Sequence, residues 1–189
     1  LADWHELEAA LAAQIRGERL AHTYRVLETA RALAAGLGAD LEQASTAALL
    51  HDYAKAMSPA DLLAQAEQRN LIVDPAEEVQ PHLLHGPVAA ALLQEQGLVT
   101  DRAVLDAIRY HTTGRAGMSL LEKIIWLADY VEPARNFPGV DRIRAEAESD
   151  LDLALLHAIE NSIGYVIQHG WPLHLYSVHA RNWLLSQKQ

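Results

Sequence analysis

Six residues of metal-binding type, spread over more than a hundred positions, carry the chemistry that this sequence can offer: His22, His51, Asp52, His85, His111 and Asp129. The chain has no cysteine, which excludes disulfides, thiolate metal sites and cysteine nucleophiles and leaves His, Asp and Glu as the strong ligands. The His51-Asp52 pair follows Ala47-Ala48-Leu49-Leu50, and Asp129 follows Ile124-Ile125-Trp126-Leu127-Ala128. An ionised carboxylate in such apolar company is costly unless a cation or a hydrogen-bonded basic group faces it. In a chain with 10 histidines a His-Asp dipeptide arises readily by chance, and each histidine taken alone is also explained as a hydrogen-bonded core or surface residue. No short chelate spacing links the six, so any site they form must be assembled by the fold, between helices.

Three further positions offer groups for phosphate. Lys55 lies four residues after His51 and three after Asp52, on their face of a helix, where an ammonium can hold a phosphate oxygen or protonate a leaving group. Arg135 follows Glu132-Pro133-Ala134, a turn that suits a bidentate guanidinium contact. Thr112 and Thr113, before Gly114, offer hydroxyls and backbone amides. A solvated lysine, a structural ion pair and a helix-ending loop are the plain alternatives for these three.

The elements that must position these groups read as helices almost throughout, without a run of period-two alternation. Leu7, Leu11 and Ile15 form a first apolar stripe. A second helix is expected from about Glu18 to Ala35, stopped by Gly36 and Gly38. Asp40 with Gln43 starts a third, expected to run through Leu49 to about Ala56. Ser58-Pro59 and Asp74-Pro75 are helix starts, with proline at the first helical position. Pro81 and Gly86-Pro87 punctuate the next stretch and place His85 at or near a helix start. Thr100-Asp101 opens a helix ending around His111, and Ser119 with Glu122 makes a capping box for one through Asp129. After breaks at Pro133 and Pro138-Gly139, a long helix is expected from about Leu151 to His169, and a last one from Val178 to Leu185.

Composition bounds the rest. A chain of 189 residues, half of them hydrophobic, fits a single domain over 1–189. The formal net charge of −10 argues against nucleic-acid wrapping and means that a polyanionic substrate needs local positive charge, which bound cations would supply. No apolar run reaches the ~18 residues of a membrane span, and the first residues given do not read as a basic segment followed by an apolar one. A cytoplasmic location is the expectation, with the oligomeric state open.

The order His22, His51-Asp52, Asp129 resembles the signature of the HD superfamily of metal-dependent phosphohydrolases. The segments HTYRVLETA (22–30), ALLHDYAKAM (48–57), LLHGPVAA (83–90), YHTTGRAGMSLLEKIIWLADYVEPARNFPGVDRIR (110–144) and ARNWLL (180–185) are similar to the YqeK family, the bacterial symmetrical diadenosine tetraphosphate hydrolases, over about 19–185. The resemblance implies an all-α bundle of the HD type and a dinuclear site, with iron as the favoured metal and manganese or zinc compatible with the same donors. His22, His51, Asp52 and Asp129 would hold one ion, and Asp52 would bridge to a second held by His85 and His111. Asp52 and Lys55 would serve catalysis; Lys55, Thr112, Thr113 and Arg135 would bind the substrate, a small dinucleotide cut into two ADP. A pair of ions ~3.5–4 Å apart can acidify a water and clamp phosphate oxygens. The enzymatic alternative is a mononuclear HD nucleotidase acting on nucleoside mono- or triphosphates, which does not need both His85 and His111. A helical module that only binds or packs is the non-enzymatic one.

Overall fold

The structure, a computed structural model, describes residues 3–187. Among these the chain forms eleven α-helices and one short 3-10 helix, with no strand. Helices α1 (Trp4–Gln14), α2 (Glu18–Leu37), α3 (Leu41–Leu50) and α4 (Pro59–Gln68) come first. The short α5 (Pro75–Val79) and the 3-10 helix Pro81–Leu84 lead into α6 (His85–Glu95). Helices α7 (Arg102–Tyr110), α8 (Leu120–Val131), α9 (Val140–Ala147), α10 (Leu151–Gln168) and α11 (Leu175–Ser186) complete the chain.

Most helix starts lie where cap chemistry places them. Asp40 accepts from the amides of Glu42 and Gln43, Ser58 from Asp61, and Asp101 from Ala103 and Val104. Asp74 with Glu77 and Ser119 with Glu122 form reciprocal capping boxes. Helix α2 runs two residues past the expected Ala35: Gly36 is carried inside it, and Gly38, at φ +68°, makes the left-handed stop. Helix α9 was not foreseen at all, and α11 starts at Leu175, three residues before the expected Val178.

The difference that matters for the site is at the end of α3. The regular helix stops at Leu50 rather than near Ala56, and residues 51–57 form successive tight turns closed by Tyr53 N to Leu50 O, Lys55 N to Asp52 O and Met57 N to Ala54 O. His51 and Asp52 therefore stand at a break in the helix. In such turns residues three apart eclipse, so Lys55 still overlies Asp52.

Helix α8 explains how the bundle is held together. It is apolar on nearly all sides because it is shared by two packed clusters. Leu121, Ile124, Ile125 and Ala128 pack with α1–α4, α6 and α7, whereas Trp126, Leu127 and Val131 pack with α9–α11. Asp129 lies in its last turn, beside α2, with which α8 is extensively packed.

Candidate metal centre

Three of the histidines stand where a helix begins, ends or loosens, and each is locked by the same local bond. His51 follows the last residue of α3, His85 opens α6 and His111 caps α7. Nδ1 of His51 lies 2.7 Å from Ala48 O, Nδ1 of His111 lies 2.8 Å from Ile108 O, and Nδ1 of His85 is bonded to His82 O. A carbonyl oxygen can only accept, so each Nδ1 carries a proton, and in the neutral ring Nε2 is then the bare lone pair. This is the support that metal-binding imidazoles commonly have.

The bare nitrogens converge. His85 Nε2 and His111 Nε2 are 2.9 Å apart, and both face Asp52 Oδ1, at 3.2 and 3.9 Å. His51 Nε2 is buried without a hydrogen-bond partner, 3.7 Å from Asp52 Oδ2. Two lone pairs at hydrogen-bond distance repel unless a cation or a shared proton lies between them, and an orphaned buried nitrogen carries a desolvation cost. The donor set thus fits metal ions. Ligand atoms lie within 4.8 Å of one another in two overlapping groups: His22, His51 and Asp129, and His51, Asp52 and His111.

Glu132 secures the fourth histidine. The two ring nitrogens of His22 meet two carboxylates, Nε2 at 3.0 Å from Asp129 Oδ1 and Nδ1 at 3.1 Å from Glu132 Oε1. Glu132 is itself buried and accepts from Arg25 Nε at 2.7 Å and from the amide of Ala134 at 2.8 Å. Burial works against protonation of His22, but the two carboxylates outweigh it and raise its pKa. Burial and the neighbouring positive charge of Lys55 lower the pKa of His85; burial with the adjacent His85 and His51 holds His111 well below the ordinary imidazole value. Asp52 and Asp129 are both lowered, because the imidazoles and cations around them overcome their burial. Neutral imidazoles at His85 and His111 beside ionised carboxylates are the protonation states that bind cations, whereas His22, raised between two carboxylates, must give up a proton to join them.

Positive charge surrounds the open side. Lys55 Nζ is 3.8 Å from Asp52 Oδ1 and 3.2 Å from His85 Nε2. Arg135 donates to Asp129 twice, from Nη2 to Oδ1 at 2.7 Å and from Nε to the backbone oxygen at 3.0 Å. Thr112 Oγ1 lies 3.2 Å from His111 Nε2 and 3.4 Å from His85 Nε2. Thr113 is not brought to the cluster: its hydroxyl donates to Gly114 O and its carbonyl accepts from Ser177 Oγ.

Other contributions were not assigned from sequence. Arg19 donates to Asp52 Oδ2 at 3.1 Å; its spacing three before His22 on α2 was the available signal. Glu132 stood inside a recognised block without a role, and Arg25 is its partner. Gly86 read as punctuation, yet a Cβ there would stand 2.8 Å from Ile108 O and 2.9 Å from Arg109 O. Only glycine lets the start of α6 approach the end of α7 closely enough to join His85 to His111.

A helical bundle that gathers His22, His51-Asp52 and Asp129 in this order is that of a known class. The HD domain family model matches residues 19–134, and the chain belongs to the HD-domain family of metal-dependent phosphohydrolases. Within that family the resemblance is to one group. The chain is 42% identical over 181 residues to the Bacillus subtilis (strain 168) protein named bis(5'-nucleosyl)-tetraphosphatase, symmetrical, covering 96% of this chain and 97% of that one. It is 40% identical to the protein of the same name from Halalkalibacterium halodurans, over 90% of this chain and 91% of the other. A solved structure of an HD superfamily hydrolase from Clostridium acetobutylicum, described as involved in NAD metabolism, superposes with a TM-score of 0.94 at 37% identity, covering 99% of both chains. No helix among the described residues is long and apolar enough to cross a membrane.

Proposed function

We propose that this protein hydrolyses diadenosine tetraphosphate symmetrically to two ADP, at a centre of two metal ions held by His22, His51, Asp52, His85, His111 and Asp129. The single observation carrying the metal assignment is the locked tautomer of His51, His85 and His111, which turns three bare Nε2 atoms toward two carboxylates. The substrate assignment is supported by the name shared by relatives that match over nearly their whole length. The two overlapping ligand groups favour a pair of ions over the single ion of a mononucleotidase. Asp52 belongs with His51 and His111 and also faces His85, which suits the bridging position. Iron is the metal we assign, from the resemblance; the imidazole–carboxylate donors would also take manganese or zinc.

When bound, the ions supply a water acidified enough to attack phosphorus near neutral pH and positive charge for the phosphate oxygens. The residues of the chain do the remaining work. Water oxygen bonds to an inner phosphorus as the bond from that phosphorus to the central bridging oxygen breaks, and ADP departs with that oxygen. Lys55, beside Asp52 and His85, neutralises or protonates the departing oxygen. Arg135 at the mouth binds non-bridging oxygens as its contact with Asp129 loosens, and Thr112 offers a hydroxyl on the His85–His111 side.

The test is metal analysis of the protein as purified, followed by chelation and reloading. Two ions per chain, activity on the dinucleotide lost with them and regained on reloading, are expected. Full activity in metal-free protein would overturn the proposal.

A further inference from the structure

Asp129 and Arg135 stand on the boundary of two cavities of contrasting character. The smaller, about 480 Å³, is lined mainly by charged side chains, among them Arg19, Arg25, Lys55 and Glu132. The larger, about 660 Å³, runs from His111, Asp129 and Arg135 to Tyr130, Phe137, Asn161 and Tyr165. A substrate with its phosphates at the metal centre must extend into one or both. The smaller cavity has only the His22 ring to stack on and suits phosphate. The larger has the size of a small-molecule site and mixes aromatic walls with polar side chains, among them Asn161, Ser162 and Gln168.

Its walls are built for a flat ring. Tyr130 is backed by Trp126, stacked at 5.1 Å and 24°, and is met edge-on by Phe137 at 4.9 Å. Tyr165 is backed by His169, with ring centres 4.0 Å apart, and by Trp171 at 5.9 Å. Although its ring is so supported, Tyr165 remains 54% exposed, which leaves ring area free for a ligand. Asn161 Nδ2 donates to Tyr130 Oη at 3.0 Å. That bond leaves Asn161 Oδ1 to accept and the Tyr130 hydroxyl proton to be donated, so an acceptor and a donor lie side by side. An amino group next to a ring nitrogen, as on adenine, is the complementary pair.

We propose that the larger cavity seats one adenine base of the substrate, stacked against Tyr130 and Tyr165 and read at its edge by Asn161. This rests on the dinucleotide reading above. It goes further in naming the residues that recognise the nucleoside and the side of the metal centre on which they lie.

The experiment measures binding of ADP, and of inorganic tripolyphosphate as a base-free probe, to metal-loaded protein by calorimetry. Tyr165→Ala and Asn161→Ala should weaken ADP relative to tripolyphosphate, Tyr165→Ala by about five- to a hundred-fold, the range that a base–aromatic stack contributes. Tyr165→Phe keeps the ring and should restore ADP affinity. Equal weakening of both ligands, or unchanged ADP affinity in both alanine variants, would overturn the inference. The function reading fails separately, if the wild-type protein releases no ADP from diadenosine tetraphosphate. A retained ADP-against-tripolyphosphate contrast in that case would still identify a nucleotide cavity.

Discussion

Substituting Gly86 by alanine tests whether the His85–His111 pair depends on close approach of two helices. The added methyl would stand 2.8 Å from Ile108 O, 2.9 Å from Arg109 O and 3.2 Å from His111 Nδ1. Two of these atoms are backbone oxygens at the end of α7, and the third is the nitrogen that must keep its bond to Ile108 O. None can swing aside, so the start of α6 must move off α7. Overpacking of this kind costs about 1–3 kcal/mol, and rigid backbone neighbours place it near the upper end. Alanine returns up to ~1 kcal/mol of helix propensity, leaving a net loss of about 2 kcal/mol. For a chain of this size that is about 4–8 °C in melting temperature. The assay is thermal melting of chelated protein, with metal content measured before chelation. Gly86→Ala should melt lower and hold less metal, because His85 Nε2 and His111 Nε2 are drawn apart. Gly36→Ala is the control: it lies inside α2 with nothing within 4 Å of the new methyl, and should be neutral or stabilising. Wild-type melting with full metal content in Gly86→Ala would show that close approach of α6 and α7 is not what joins His85 to His111.

The remaining predictions follow from the same geometry. Asp52→Ala should lose metal and activity together, whereas Asp129→Ala should mainly empty the group shared with His22 and His51; full metal occupancy in Asp52→Ala would remove its bridging role. Lys55→Ala and Arg135→Ala should retain metal while turnover falls about ten- to a hundred-fold, the equivalent of losing a charge-assisted contact of roughly 1.5–3 kcal/mol; wild-type rates would return both residues to a structural role. Metal-free protein should lose stability in mild acid. Burial and neighbouring positive charge hold His85 and His111 below their unfolded value, so their contribution is complete above about pH 6.5 and is lost as pH falls below it. His22, raised by Asp129 and Glu132 against its burial, acts in the opposite sense, while His82, lowered by burial and by Lys55, adds to the loss. A melting temperature that holds or rises from about pH 8 to about pH 5 would contradict this.

The sequence revealed what depends on local chemistry or on residue order. Asp40, Ser58, Asp74, Asp101 and Ser119 announced helix starts because a side chain that accepts from its neighbours' amides acts over only a few residues. Apolar settings singled out Asp52 and Asp129, and the resemblance to the HD and YqeK pattern named the full set of six, but long separations carry no distance information and could not arrange them. The end of α3 at Leu50 was missed because Tyr53, Ala54 and Lys55 are all compatible with a helix; the competing bond from His51 to Ala48 O is visible only in three dimensions. The histidine locks at His82 O and Ile108 O escaped for the same reason: the partner is backbone, and no residue type marks it. Glu132, Arg19 and Gly86 act through contacts with distant helices, and the aromatic cavity joins residues of α8, α10 and the connection before α9. Such sites form only when the two apolar faces of α8 are buried on different partners.

The proposed chemistry places the cut at the middle of the tetraphosphate. A limited digest of diadenosine tetraphosphate in oxygen-18 water, separated by chromatography and weighed by mass spectrometry, tests it most directly. ADP is expected as the only product, with one ADP of each pair carrying a single heavy oxygen on its terminal phosphate. ATP with AMP, or release of inorganic phosphate, would contradict it.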